Sequence, residues 1–337
     1  MTISTNTQSM TNKPKILVAR AIFPEALAKL EESFEVRSNQ SDQIFTPAEL
    51  QKELAGVVGA LVTGSERIDA NALSAANGLK VVANISVGYN NFDVTAMSAA
   101  GVIATNTPDV LTDTTADFGF ALLMATARRI TESEHWIRAG KWDQWSIVNN
   151  PLGMDLHHST LGIIGMGRIG QGIAKRALGF GMKVIYHNRS RLSEVDEKAC
   201  GASYVSKEDL LRNADHVVLV LPYTAENHHT IGAKEIALMK PTATLVNIAR
   251  GGIVDDLALA QALKAGTIFA AGLDVFEGEP KVNPELLKLS NVVLAPHIAS
   301  ATETTRRAMV DLAIENLRAA LDGKTPPSLI NKELFKA

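Results

Sequence analysis

The apolar run Leu161-Gly162-Ile163-Ile164 leads straight into Gly165-Met166-Gly167-Arg168-Ile169-Gly170, and the helical pattern QGIAKRALGFG follows at once. A strand, a glycine-rich turn and a helix in that order make the first half of a βαβ unit. Gly165 suits the tight turn, Gly167 the close approach of backbone to a pyrophosphate, and Gly170 the packing of helix on strand. The free N–H groups of the first helical turn, which holds Arg168 and Ile169, are then a site for phosphate. A purely structural glycine turn is the alternative, and the strand-to-helix context weighs against it.

The same rhythm runs through the rest of the chain. From Lys15 onward, apolar runs at KILVAR, GALVTG, KVVANIS and VIATNT alternate with helical patterns, and a second series follows at TLGIIG, KVIYHN, HVVLVLP, TLVNIA, AAGLDV and NVVLAP. Alternation of this kind predicts parallel sheets wound by helices, hence an α/β fold of two doubly wound parallel-sheet domains, one Rossmann-type and one flavodoxin-like. One long helix is expected from about Thr112 to Ala139. A boundary is expected near Thr107-Pro108, because proline restricts the residue before it. The amphipathic stretch ETTRRAMVDLAIENLRAALDG, ending at Gly323, is expected to return to the first domain. The expected division is residues 13–107 with 298–330 for a substrate domain and 108–297 for the dinucleotide domain, after a polar tail at 1–12.

A chain of 337 residues accommodates two domains of roughly 150 residues. A net charge of −3 gives no electrostatic footprint for nucleic acid or an anionic membrane, and no apolar run is long enough to span a bilayer. The lone Cys200 excludes an internal disulfide and a cysteine-based metal site, and it lacks a basic partner or redox spacing. A soluble protein of a reducing cytoplasm is the expectation. His157-His158 and His228-His229 are declined as metal ligands, since neighbours in a strand point to opposite faces and no carboxylate cluster accompanies them in sequence.

Past the glycines, an NAD site usually carries an acid at the end of the next strand, about 20 residues on, for the ribose 2′-hydroxyl. Here the strand KVIYH ends in Asn188, Arg189, Ser190 and Arg191. A carboxylate would repel a 2′-phosphate, whereas Arg189 and Ser190 can pair with it, so NADP(H) is the expected cofactor. Solvated turn residues are the alternative reading of the two arginines. Three later strands end in Arg250, Glu279 and His297, which a parallel sheet places along one carboxyl edge, where open α/β folds bind ligands. Reduction of a 2-keto acid needs a cation for carboxylate and ketone oxygen and a proton donor for the developing alkoxide. Arg250 fits the first need and His297 the second, with Glu279 fixing the imidazole tautomer and favouring its protonated form. Singly, each has a structural alternative: an ion pair, a solvated acid, a capped histidine.

Carried by ISVGYNNFDV, TPDVLTDTTAD, DLHHSTLGIIGMGRIG, IARGGIVDD, AAGLDVFEGEP and PHIASAT, the chain resembles the D-isomer-specific 2-hydroxyacid dehydrogenases over nearly its whole length, with bacterial glyoxylate/hydroxypyruvate reductases of the 2-ketogluconate type most similar. The resemblance implies catalytic roles for Arg250, Glu279 and His297. It implies a carboxylate-binding loop of backbone N–H groups at Val87 and Gly88, preceded by Ser86, a carboxamide contact at Asp274, and Thr112 beside the cofactor. It further implies a homodimer with active sites in the cleft between its domains. Trp142-Asp143-Gln144-Trp145 resembles a W-x-x-W pair from which Trp145 would reach a neighbouring subunit's site. Anchoring of the dimer arm in its own apolar patch is the other reading. The implied activity is NADPH-dependent reduction of glyoxylate and hydroxypyruvate. Reduction of 2-ketogluconate is the alternative, and a nucleotide-sensing corepressor is the remote one.

Overall fold

Strands that read as continuous Val, Ile, Leu and Ala must be covered on both faces, which is the condition of an all-parallel sheet. The computed structural model, which describes residues 13–335, contains two such sheets, and the tail expected at 1–12 lies outside the described residues. The first is formed by β1 (Lys15–Val18), β2 (Glu35–Ser38), β3 (Gly59–Val62), β4 (Val81–Asn84) and β5 (Ile103–Thr105), ordered β2-β1-β3-β4-β5. The second is formed by β6 (Thr160–Ile164), β7 (Lys183–His187), β8 (Ala202–Tyr204), β9 (His216–Leu219), β10 (Thr244–Asn247), β11 (Ala270–Leu273) and β12 (Val292–Leu294), ordered β12-β11-β10-β9-β6-β7-β8. These are the flavodoxin-like and Rossmann-type windings. In the second sheet the order reverses at β6, which pairs with β7 on one side and β9 on the other. Ligands of open α/β sheets bind outside the carboxyl ends at such a reversal.

Two compact units result, one up to Val110 and from Glu303 onward, the other Leu111–Thr302. Within the first, the helix Glu303–Leu321 packs on β3 and β4 and buries Met309, Ile314 and Leu317. Within the second, the helix Thr112–Ala127 packs against β10 and β11 and against the helix Arg168–Leu178. No helix among the described residues is long and apolar enough to cross a membrane.

Two strands carry no apolar run, and both are sheet edges. β2 is Glu-Val-Arg-Ser and β8 is Ala-Ser-Tyr; each has one strand neighbour, so polar side chains are tolerated there. The expected single helix over 112–139 is instead two, Thr112–Ala127 and Ile130–Arg138. The break falls at Arg129, whose backbone is left-handed at φ 52° and whose guanidinium grips Glu132 through Nε at 2.6 Å and Nη2 at 2.7 Å. A left-handed residue ends a right-handed helix however apolar its neighbours are.

The C-terminal segment is fastened to the first sheet by backbone bonds, among them Ile330 N–H to the Ala104 carbonyl at 2.9 Å, and by one buried side chain. Asn331 Oδ1 accepts the Ala104 N–H at 2.8 Å, and its Nδ2 donates to the Val102 carbonyl at 2.9 Å and to Ser98 Oγ at 3.2 Å. Replacement by alanine leaves a buried donor and acceptor without partners, a cost of roughly 1–3 kcal/mol for each group. Asn331→Ala is therefore expected to lower the melting temperature by several degrees in calorimetry; an unchanged melt would show that the residue is not a fastening point.

Candidate active site

The turn after β6 has the sterics of a phosphate cradle. Gly165 sits at φ +103°, and a Cβ there would lie 2.5 Å from the Val220 carbonyl; a Cβ on Gly170 would lie 2.4 Å from the Gly165 oxygen. A Cβ on Gly167, by contrast, meets nothing within 4 Å, so this backbone faces open space. Gly167 is the N-cap of the helix beginning at Arg168 and Ile169, and no side chain caps that end. An uncapped helix start with an open approach fits a dinucleotide's pyrophosphate.

Asn188, just beyond β7, has a role that spacing does not reveal. Its Oδ1 accepts the Met166 N–H at 2.6 Å and so pins the middle of the glycine turn. The two arginines beside it separate. Arg191 donates from Nε and Nη2 to both oxygens of Glu197, each at 2.8 Å, and Tyr186 adds a third bond at 2.7 Å. Arg191 and then Tyr186 hold the Glu197 carboxyl down to about 2. Arg189 and Ser190 are exposed and bond to no described residue.

Three loops at the carboxyl edge of the second sheet bring Arg250, Glu279 and His297 together. Glu279 Oε1 accepts the Phe276 N–H at 2.9 Å, and Oε2 lies 2.9 Å from His297 Nδ1. With the carboxylate held by backbone and ring held by carboxylate, Nε2 of His297 is left without a described partner. His297 itself has a left-handed backbone, φ 54°, and donates its N–H to the Asp274 carbonyl at 2.8 Å. Asp274 is fully buried, and its carboxylate accepts Ile298 N–H at 2.8 Å and Ala299 N–H at 3.0 Å. The side chain that family resemblance assigns to a carboxamide contact is thus also the clamp of the His297 segment.

Arg250 donates from Nη1 to the Ala249 carbonyl at 2.7 Å. Burial pushes its guanidinium down, opposed by the charge of Glu279. Burial alone would push the Glu279 carboxyl up; the His297 hydrogen bond and charge, the Phe276 N–H and Arg250 outweigh it and hold the group below its ordinary value. Two further residues join the loops. A Cβ on Gly251 would fall 1.7 Å from the Phe276 carbonyl oxygen, so only glycine lets the Arg250 loop lie on the Glu279 loop. Buried Asp256 accepts the Glu277 N–H at 3.0 Å. Neither was singled out from sequence, although IARGGIVDD and DVFEGEP contain them.

Ser86, Val87 and Gly88 lie in the first unit, directly after β4. Their carbonyls are all occupied: Ser86 by the Thr107 N–H at 3.0 Å, Val87 by Asn106 Nδ2 at 2.8 Å, Gly88 by Asn84 Nδ2 at 2.9 Å. Their N–H groups donate to no described residue. Carbonyls tied inward with amides left over is an anion-binding arrangement. Thr112 is the first residue of its helix and half-buried. Trp142 is 53% and Trp145 72% exposed. The premise that the paired histidines stand in strands fails: both pairs lie in turns, with left-handed backbone at His158 and His229.

A family model described as D-isomer specific 2-hydroxyacid dehydrogenase, NAD binding domain, matches residues 120–299. The glyoxylate reductase of Thermococcus kodakarensis is 48% identical over 327 residues, covering 96% of this chain and 98% of that protein. The glyoxylate reductase of Aeropyrum pernix is 47% identical over 330 residues, with 96% and 98% covered. Among solved structures, the NADPH-dependent glyoxylate/hydroxypyruvate reductase of Sinorhizobium meliloti, in complex with NADP and malonate, superposes with a TM-score of 0.85 at 35% identity, over 96% of this chain and 99% of that one. The chain belongs to the D-isomer-specific 2-hydroxyacid dehydrogenases. It is an oxidoreductase whose second unit is a nicotinamide-dinucleotide-binding domain.

Burial lifts the Asp256 carboxyl from its ordinary 3.8 to about 6. A raised folded-state value means that the folded chain holds this proton more tightly than the unfolded chain. The cost of burying the charge is therefore absent below the ordinary value and complete above about pH 6. Asp256→Asn keeps an acceptor for Glu277 and removes that cost. Its melting temperature relative to the unsubstituted protein is expected to rise between pH 4.5 and 7.5, and a difference independent of pH would refute the buried charge.

Proposed function

We propose that the chain is an NADPH-dependent reductase of small 2-keto acids, converting glyoxylate to glycolate and hydroxypyruvate to D-glycerate. The observation that carries the reaction is the fixed Glu279–His297 pair, 2.9 Å apart, with Nε2 left over for proton transfer. The uncapped helix start at Gly167 and Arg168 would hold the pyrophosphate of NADPH, which when bound would supply the hydride for the keto carbon. His297 Nε2 gives the proton to the ketone oxygen as it becomes an alkoxide, and the exposed ring recovers a proton from solvent. Glu279, held ionised, stabilises the imidazolium before transfer and keeps Nδ1–H aimed at itself. Arg250 offers a positive charge to the substrate carboxylate and the developing oxyanion. The spare amides of Val87 and Gly88, in the first unit, are suited to a carboxylate.

Cofactor preference rests on the turn after β7. Arg191 is committed to Glu197, whereas Arg189 and Ser190 are exposed and without partners, which supports pairing with a 2′-phosphate. The Sinorhizobium meliloti protein, described as NADPH-dependent and bound to NADP, supports the same reading. We further read the chain as a homodimer: Trp142, Trp145, Ile147 and Val148 form an exposed apolar run that water would otherwise have to solvate.

His297→Ala is expected to lower kcat by about 10²–10⁴-fold with NADPH affinity by fluorescence titration unchanged; undiminished turnover would remove His297 from the reaction. Arg189→Asp is expected to shift the kcat/KM ratio of NADPH over NADH toward NADH by at least tenfold, and no shift would separate this residue from the 2′-phosphate. Initial rates with glyoxylate, hydroxypyruvate, 2-ketogluconate and pyruvate, each with NADPH and NADH, test the substrate assignment. A leading rate with 2-ketogluconate would replace it, and no turnover with any acid would favour a binding protein.

A further inference from the structure

We propose that His228, His229 and Glu277 bind a divalent transition-metal ion, zinc(II) being the best match, at a site separate from the Arg250–Glu279–His297 set. The two histidines follow the short 3-10 turn Ala225–Asn227, so they are free of the alternation that would separate them in a strand. Their rings stack with centroids 3.8 Å apart and 24° between planes. Glu277 lies across from both: Oε2 is 3.1 Å from His229 Nε2, and Oε1 is 3.8 Å from His228 Nε2. One ligand atom from each residue falls within 4.8 Å of the other two. Nitrogen and oxygen ligands about 2.0–2.2 Å from a tetrahedral zinc stand about 3.3 Å from one another, so the carboxylate-to-imidazole spacings need little adjustment. Stacked rings point their lone pairs side by side, and the exposed His228 ring must turn to converge on the ion.

What sets this cluster apart from a chance surface pair is the far side of each ring. His228 Nδ1 lies 3.2 Å from the Tyr223 hydroxyl, and His229 Nδ1 faces Asp255 Oδ2 at 3.9 Å. Metal-binding histidines characteristically present their second nitrogen to an oxygen; the Tyr223 hydroxyl is within hydrogen-bond reach of His228 Nδ1, and Asp255 adds negative charge beside His229 without bonding it. His229 is also preset by its backbone, left-handed at φ 51° with its N–H on the Gly252 carbonyl at 2.7 Å. Two neutral imidazoles and one carboxylate form a ligand set that suits zinc, with a fourth position open to solvent. An ion held there ties the turn before His228 to the loop that carries Glu279 two residues beyond Glu277.

The test uses metal-free, untagged protein titrated with zinc chloride by calorimetry and with cobalt chloride by visible spectroscopy. The expected result is one zinc per chain and a tetrahedral cobalt spectrum. Glu277→Gln and a His228→Ala/His229→Ala double variant are each expected to weaken zinc binding at least tenfold and abolish that spectrum, while their metal-free keto-acid turnover shows that they are folded. Absence of saturable zinc binding, or binding of unchanged affinity in the double variant, overturns the proposal.

Discussion

A fully buried carboxylate, Asp274, decides where the His297 segment stands. Its two oxygens take the N–H groups of Ile298 and Ala299, and its own carbonyl takes that of His297. Three backbone bonds from one residue over-determine a segment that would otherwise relax out of the left-handed conformation at His297. Burial pushes this carboxyl up, so the clamp is expensive in isolation and is sustained by the two amides that neutralise it. Because β11 ends at Leu273, one residue earlier, the clamp hangs directly from the sheet. The rigidity of the imidazole thus traces to the second sheet and not to the loop in which it sits.

The Glu279 loop is organised on the same plan, by backbone contacts and not by side-chain packing. Gly251 lets two loops touch through their main chains, Asp256 receives an amide of one of them, and the Phe276 amide orients Glu279. Glu279 and His297 therefore inherit their geometry from Gly251, Asp256 and the Phe276 amide. In the first unit the Ser86–Gly88 turn follows suit, its carbonyls drawn back by Thr107, Asn106 and Asn84. Asn316, buried in the terminal helix, in turn donates to the Asn106 carbonyl at 3.1 Å. That helix consequently braces a polar turn as well as covering apolar strands.

Legibility in the sequence followed burial. Strands inside both sheets announced themselves as apolar runs, and the glycine triplet announced the turn between β6 and the helix Arg168–Leu178. The edge strands β2 and β8 did not, because an edge has water for a neighbour and tolerates Glu, Arg and Ser. The helix break at Arg129 was invisible for another reason: a left-handed arginine depends on its grip on Glu132, not on its own propensity. Arg250, Glu279 and His297 were readable by type and place, whereas the fastening roles of Asp256, Asn188 and Asp274 depend on which amide each meets in space. The adjacent histidines stand in turns, so the alternation expected of a strand does not apply to them.

The bond from Asn188 to the Met166 amide makes the glycine turn and the turn after β7 one mechanical piece. Residues 189 and 190 project from that piece without supporting it, while Asn188 and Arg191 on either side hold it together. Substitution at these two solvent-facing positions therefore leaves untouched the bonds that hold the glycine turn. The backbone of the turn and its exposed chemistry are thus carried by different residues, so the one can change without the other.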